Sequence, residues 1–271
     1  MEVTQEPHSG PAVLGVQAVT VRFGGITALE RVSLDVGAGE VLGVIGPNGA
    51  GKTTLFNCIS GFVRPQSGTI SWRGERIERM RPDRRAGRGI ARTLQGVGLF
   101  SRLSVAENVM IGAERFRRAG LLSALLALPR SERDERALRE RALEALSAVG
   151  CEQLADHHPG SLPFATQKRV ALARALAGEP SLLLLDEPAG GLDAGELEQL
   201  ATLIRRIRAQ MSVVLVEHHM DFVMSTSDRV AALEFGRVIC TGPPETVRSD
   251  PRVIEAYLGD DAAAGRAGRD A

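Results

Sequence analysis

Apolar and polar positions along the 271-residue chain follow two rhythms. Over residues 13–45 the period is two: VLGVQAVTVRF, then RVSLDV, then EVLGVI. That alternation predicts strands with one buried face. VLGVI is apolar on both faces and suits a central strand of a parallel sheet. It runs into GPNGAGK and then TTLFNCISGF, which has helical spacing and a terminal glycine. Residues 96–160 differ. SVAENVMIGAERFRRAG and SERDERALRERALEALSAVG read as helices, the second with Leu138, Ala142, Ala145 and Val149 on one face and charges opposite. They predict a helical insert between two halves of a core. The core then resumes with a helix over roughly 165–177, ended by Gly178 and Pro180. LLLLD and SVVLVE follow as buried strands, and DRVAALEFGRVICTG as a β-rich end.

Length and composition narrow the class. The length fits one large α/β domain or a core with a smaller insert, and 44% apolar residues suffice for a real core. Lys plus Arg equal Asp plus Glu, so no global basic field for nucleic acid exists. Cys58, Cys151 and Cys240 are far apart and lack metal-site spacing, which points to small buried hydrophobes in a reducing compartment. MEVTQEPHSGPAVLG has no basic start and no long apolar run, so it does not read as a signal peptide. The run Leu121 to Leu128 is less than half of the ~20 residues that a membrane span needs, and reads as the buried face of a short helix or a docking helix. Six arginines, Arg79, Arg81, Arg84, Arg85, Arg88 and Arg92, have no interleaved aromatic. They read as a solvated helix-and-turn face, near acidic lipid headgroups, rather than a nucleic-acid patch. The adjacent pairs His157-His158 and His218-His219 lack further ligand spacing and suggest no metal site of their own.

Candidate chemistry begins at Gly46-Pro47-Asn48-Gly49-Ala50-Gly51-Lys52-Thr53, which matches G-x-x-x-x-G-K-[ST] in full. Glycines let backbone N–H groups turn inward around phosphate oxygens, and the following helix start, with Thr54, adds partial positive charge. Lys52 is expected to reach the β- and γ-phosphates and Thr53 to hold Mg²⁺. Leu182 to Leu185 lead into Asp186-Glu187 at a predicted strand end, where α/β sheets place ligands. Asp186 is the expected metal contact and Glu187 the expected general base for the attacking water.

These residues resemble the nucleotide-binding subunits of ABC transporters over about residues 13–259. The resemblance implies a P-loop NTPase of the α/β class, with a RecA-like core, an antiparallel β subdomain and a helical subdomain. Its boundaries would be a tail at 1–12, a core at 13–95 and 165–259, a helical subdomain with the signature region at 96–164, and a flexible tail at 260–271. It implies adenine stacking by Phe23, a Q-loop role for Gln95 toward Mg²⁺ and the transmembrane partner, a D-loop at Gly191-Leu192-Asp193, and a switch role for His218 near the γ-phosphate. RFGGITALERVSL, IGPNGAGKTTLFNCISGF, EHHMDFVM and RSDPRVIEAYLGD look like branched-chain (hydrophobic) amino-acid uptake ATPases. The resemblance then implies ATP and Mg²⁺ as cofactors. It implies a second ABC ATPase subunit, membrane-spanning permease subunits and, indirectly, a solute-binding protein as partners. It places the chain peripherally on the cytoplasmic face of the membrane. An export-type ATPase sharing the YLGD-type ending, a soluble ABC ATPase acting on nucleic acid or ribosomes, and a catalytically silent regulatory subunit are the alternatives.

The signature position departs from the family pattern. Leu-Ser-x-Gly-Gln is replaced by Leu162-Pro163-Phe164-Ala165-Thr166, with Gln167 following. Pro163 has neither a hydroxyl nor an N–H, and Ala165 adds a methyl where backbone must approach closely. In the family that segment completes the other subunit's site. The expectation is a pair of unequal sites: one competent on this chain's phosphate loop, and a weaker one completed by this chain's signature. Losing one donor to developing charge can cost ~3 kcal/mol.

Overall fold

The computed structural model describes residues 12–93, 96–117 and 129–257. Gln95, the run Leu121 to Leu128 and both tails lie outside the described residues. Among the described residues the strands form two sheets. The first is antiparallel, in the order β2-β1-β4-β5, with β1 Ala12–Phe23, β2 Ile26–Gly37, β4 Ser67–Trp72 and β5 Glu75–Arg76. The second runs β10-β9-β3-β8-β7-β6. In it β3 Val41–Ile45, β7 Leu182–Asp186 and β8 Ser212–Val216 are buried at every position. This is why those stretches are apolar without alternation: both faces of a central parallel strand are covered. β6 Ile90–Arg92 is the short edge strand, parallel to β7, and β9 Arg229–Glu234 pairs antiparallel with β10 Arg237–Gly242.

β3, β7 and β8 are mutually parallel, so their carboxyl ends share one edge. β3 ends at the glycine loop and β7 ends at Asp186, with β8 between them. At about 4.8 Å per strand the two ends stand roughly 10 Å apart. The edge therefore gathers the loop and the acidic pair without any contact between them in sequence.

The helical part is built from α3 Val105–Met110, α4 Pro129–Ala148 and α5 Phe164–Leu176. Leu138, Ala142, Ala145 and Val149 are all buried, as their spacing predicts. The run expected as one helix after Ser104 breaks instead. α3, started by a Ser104–Glu107 capping box, passes into a 3₁₀ helix at Ile111–Phe116. There Gly112 lies against α5 so closely that a Cβ would sit 1.7 Å from the Arg174 carbonyl oxygen. Only glycine permits that approach.

The arginine cluster, two of whose members sit on α2 Pro82–Gly87, also differs from a solvated face. Arg85 is 1% exposed, and its guanidinium donates to the carbonyls of Cys58, Ile59, Met80 and Ile77. It closes the C-terminal end of α1 Lys52–Ser60, where helix carbonyls lack partners. Arg92 is half-buried on an acidic partner described below. Arg79, Arg81, Arg84 and Arg88 are exposed, as expected.

Candidate nucleotide site

The phosphate loop is fixed by steric necessity. Gly46, Gly49 and Gly51 have φ of 149°, 80° and 102°. A Cβ on Gly46 would lie 2.2 Å from the Leu233 carbonyl oxygen, and one on Gly51 would lie 2.5 Å from that of Ala28. The loop is thus wedged between β2 and the β9–β10 turn, whose Gly236 donates its N–H to the Ala50 carbonyl at 3.0 Å. Ala50 is buried, Pro47 half-buried, and Asn48 and Gly49 are exposed. Lys52, 9% exposed, folds back on the loop and donates to the carbonyls of Gly46 at 2.5 Å and Pro47 at 2.9 Å. Thr53 is exposed and Thr54 half-buried on the first turn of α1.

Asp186 is buried at the end of β7. Its Oδ2 accepts from Arg92 at 2.7 Å, and its backbone N–H donates to the Thr93 hydroxyl at 3.3 Å. Arg92 also donates to Asn57 Oδ1 at 2.6 Å and Ser60 Oγ at 3.2 Å, tying the acidic strand end to the loop's own helix. The sequence reading did not single out Arg92 as a site residue; its nearness to Asp186 exists only because β6 pairs with β7.

Glu187 is half-buried and holds a left-handed backbone, φ 48°. For a non-glycine residue that conformation costs about 1–3 kcal/mol and persists only where surroundings impose it. Its N–H donates to the Val216 carbonyl at 2.9 Å. Glu217, which the sequence reading passed over, is fully buried beside it. Glu217 Oε1 accepts from the Ala189 N–H at 2.6 Å and Oε2 from the His218 N–H at 3.0 Å. This carboxylate pins the turn after Glu187 to the start of the histidine loop. The His218 ring is exposed, with Nδ1 3.6 Å from Glu217 Oε2.

The remaining predicted residues fall at the periphery. Phe23 is exposed at the tip of the β1–β2 hairpin, paired with Ile26. The same hairpin brings Ala28 against Gly51. Asp193 caps α6 Ala194–Ile207: its Oδ1 accepts from the Glu196 N–H at 2.8 Å, and Glu196 returns the bond at 2.9 Å. In the signature, Pro163 is the N-cap residue of α5, where its missing N–H costs the helix nothing. Gln167 Nε2 donates to the Leu162 carbonyl at 2.9 Å. Phe164 is exposed, Ala165 half-buried and Thr166 buried. A glycine-wrapped loop at one parallel strand end and an acidic pair two strands away, its aspartate buried and its glutamate half-buried, define a P-loop ATPase.

Comparison with known proteins gives that class its family. The model described as "ABC transporter" matches residues 29–190, and that described as "Branched-chain amino acid ATP-binding cassette transporter" matches residues 237–263. The chain belongs to the ABC transporter family, as an ATP-binding, ATP-hydrolysing member. It is 39% identical over 250 residues to the high-affinity branched-chain amino acid transport ATP-binding protein BraF of Pseudomonas aeruginosa, covering 92% of this chain and 98% of that one. It is 38% identical, with the same coverage, to LivG of Escherichia coli K12, which carries the same description. Among solved structures, the ADP conformation of MJ1267, an ATP-binding cassette of an ABC transporter, superposes with a TM-score of 0.82 at 29% identity, over 92% of this chain and all of that one. The dimeric post-hydrolysis state of the cassette MJ0796, bound to ADP and Pi, gives 0.71 at 27% identity, over 85% and 98%.

Proposed function

We propose that this chain is the ATPase subunit of an importer for branched-chain amino acids or related amide-like solutes. It acts as one half of an ATPase pair on the cytoplasmic face of the membrane, coupled to permease subunits and, through them, to a solute-binding protein. The observation that carries this reading is the juxtaposition of the Gly46–Thr53 loop with Asp186 and Glu187 on one sheet edge, in a chain resembling branched-chain transport ATPases along nearly its whole length. No described helix is long and apolar enough to cross a membrane. We take residues 13–95 and 165–259 as the nucleotide-binding core and 96–164 as the helical arm.

The loop N–H groups and Lys52 bind the triphosphate tail, and Phe23 stacks on the base. Lys52 exchanges the Gly46 and Pro47 carbonyls for phosphate oxygens, a small movement because its ammonium already sits inside the loop. The donor set fits Mg²⁺, a hard cation that prefers oxygen: the Thr53 hydroxyl, the Asp186 carboxylate and Gln95 would hold it. Bound there, it would supply charge neutralisation across the phosphates. Arg92 fixes Asp186 by one oxygen and so orients the other. Glu187 takes the proton of the attacking water, and His218 lies on the γ-phosphate side. The segment after Gln95 is anchored by Arg174, which donates to the Gly98 carbonyl at 2.7 Å. Beside it a groove exposes Phe62, Phe100 and Ile111 between the core and the helical arm. That surface supports docking of a permease segment.

The test is Glu187→Gln in the assembled transporter. Turnover should fall by at least about a hundredfold with nucleotide affinity retained. Proteoliposomes carrying the wild-type complex should take up leucine, isoleucine or valine in an ATP-dependent manner. Retained turnover removes the catalytic reading; failure with all three solutes removes the substrate class.

A further inference from the structure

Lys168 lies one turn into α5, directly behind the altered signature. Its ammonium donates to three backbone carbonyls of the turn that follows β7: Glu187 at 3.4 Å, Pro188 at 2.9 Å, and Gly190. An ammonium has three donors, and here each finds an oxygen. Burial pushes the Lys168 pKa down, and the carboxylates of Glu217 and Glu187 oppose that shift by favouring the cation. The Phe164 ring covers the ammonium at 5.2 Å. The same ring lies over Gly191, whose φ is 74° and where a Cβ would come within 3.1 Å of Phe164 Cε1. One aromatic and one cation from the signature helix thus hold Glu187, Pro188, Gly190 and Gly191 of this turn, including the residue with the left-handed backbone.

We propose that the altered signature works in cis: Phe164 and Lys168 brace the turn that carries Glu187, and Lys168 is a positioning residue for hydrolysis on this chain's own phosphate loop. The inference rests on the reading of Glu187 as general base. It assigns the LPFAT replacement a task other than donating to a phosphate. Pro163 brings no donor, whereas Phe164 supplies a ring face over the ammonium in addition to its three carbonyls. The three carbonyls and the ring face surround this half-buried ammonium, and the charges of Glu217 and Glu187 favour its cationic form.

The experiment uses the assembled transporter with Lys168→Met, Lys168→Arg and Phe164→Ala. Lys168→Met should lower kcat about tenfold, the scale of losing charge-assisted hydrogen bonds, while KM for ATP stays within about twofold. Lys168→Arg, which keeps charge and donors, should recover most of the loss, and Phe164→Ala should cost about threefold in kcat. In a Glu187→Gln background, ATP retained through rapid gel filtration should be the same with and without Lys168→Met. Three results overturn the proposal: a Lys168→Met kcat within about twofold of wild type, kcat and ATP retention lost together, or no recovery by arginine. The second of these would assign the segment to the partner's site instead. Should Lys168→Met fail to fold, the exposed Phe164→Ala decides by the same criteria. Turnover surviving Glu187→Gln alone would remove the underlying reading, a result independent of the Lys168 series.

Discussion

The phosphate loop and the signature segment both end in a helix start, yet opposite means hold them. Gly46 and Gly51 occupy conformations and clearances that no other residue could share, so backbone sterics set the loop's path before any side chain reaches it. The segment Leu162–Thr166 has no glycine. It is held by side chains: a proline at the N-cap, Gln167 reaching back to Leu162, and Phe164 with Lys168 reaching across to the next strand's turn. Backbone-defined sites tolerate almost no substitution. Side-chain-defined sites can exchange residues and keep a function, or acquire another.

The comparison breaks first at Gly51. Gly51→Ala should cost about 4 kcal/mol, combining left-handed strain with overpacking against Ala28 and Leu29, and abolish ATP binding in titration calorimetry. If Gly51→Ala bound ATP normally, the steric account of the loop would be wrong. Next comes Arg92→Met, which strands the Asp186 carboxylate, 3% exposed, without its cation. Denaturant unfolding should show a loss of about 3 kcal/mol, because a buried charge is left uncompensated.

A pH effect sharpens the picture at the loop's own helix. Burial pushes the Cys58 thiol from 9.0 up to about 12, with the Arg85 cation opposing. Burial likewise pushes Cys240 to about 11 and raises Cys151. The folded thiols stay protonated where unfolded ones ionise. Their contribution is therefore fully present below pH 9 and is lost as pH rises toward 12. The melting temperature should fall above about pH 9, and Cys58→Ser should flatten that fall. The smallest effect is expected at the signature. Ala165→Gly should cost under about 1 kcal/mol of stability as a helix-start change. Its effect on turnover measures how unequal the two sites of the pair are. A large rise would show that Ala165 limits the partner's site, and no change would reject the inequality.

How legible each region was follows from the same contrast. The loop, the central strands and the amphipathic helix over Leu138 to Val149 were readable because each is a local rule: a glycine spacing, an apolar run, a 3.6-residue period. The break at Gly112 was not, because it answers to the Arg174 carbonyl on a helix far away in sequence. The arginine cluster misled for a similar reason. A charge run reads as a solvated face until a helix end and an aspartate are brought beneath two of its members. Glu217 carried only a faint signal, an acidic residue ending an apolar strand ahead of two histidines.

By itself the amino-acid order determined the class of site: glycines that only a phosphate cradle requires, followed by lysine and threonine, and an acidic pair closing a four-leucine strand. These are properties of single segments, set by backbone sterics and by burial of apolar faces. Tertiary structure decided which groups meet: Arg92 with Asp186, Glu217 with Ala189, Lys168 with the carbonyls after Glu187. Hydrogen bonds and ion pairs act over about 3 Å. Only the pairing of β6 with β7 and the packing of α5 on the turn beyond it bring residues so distant in sequence within that reach.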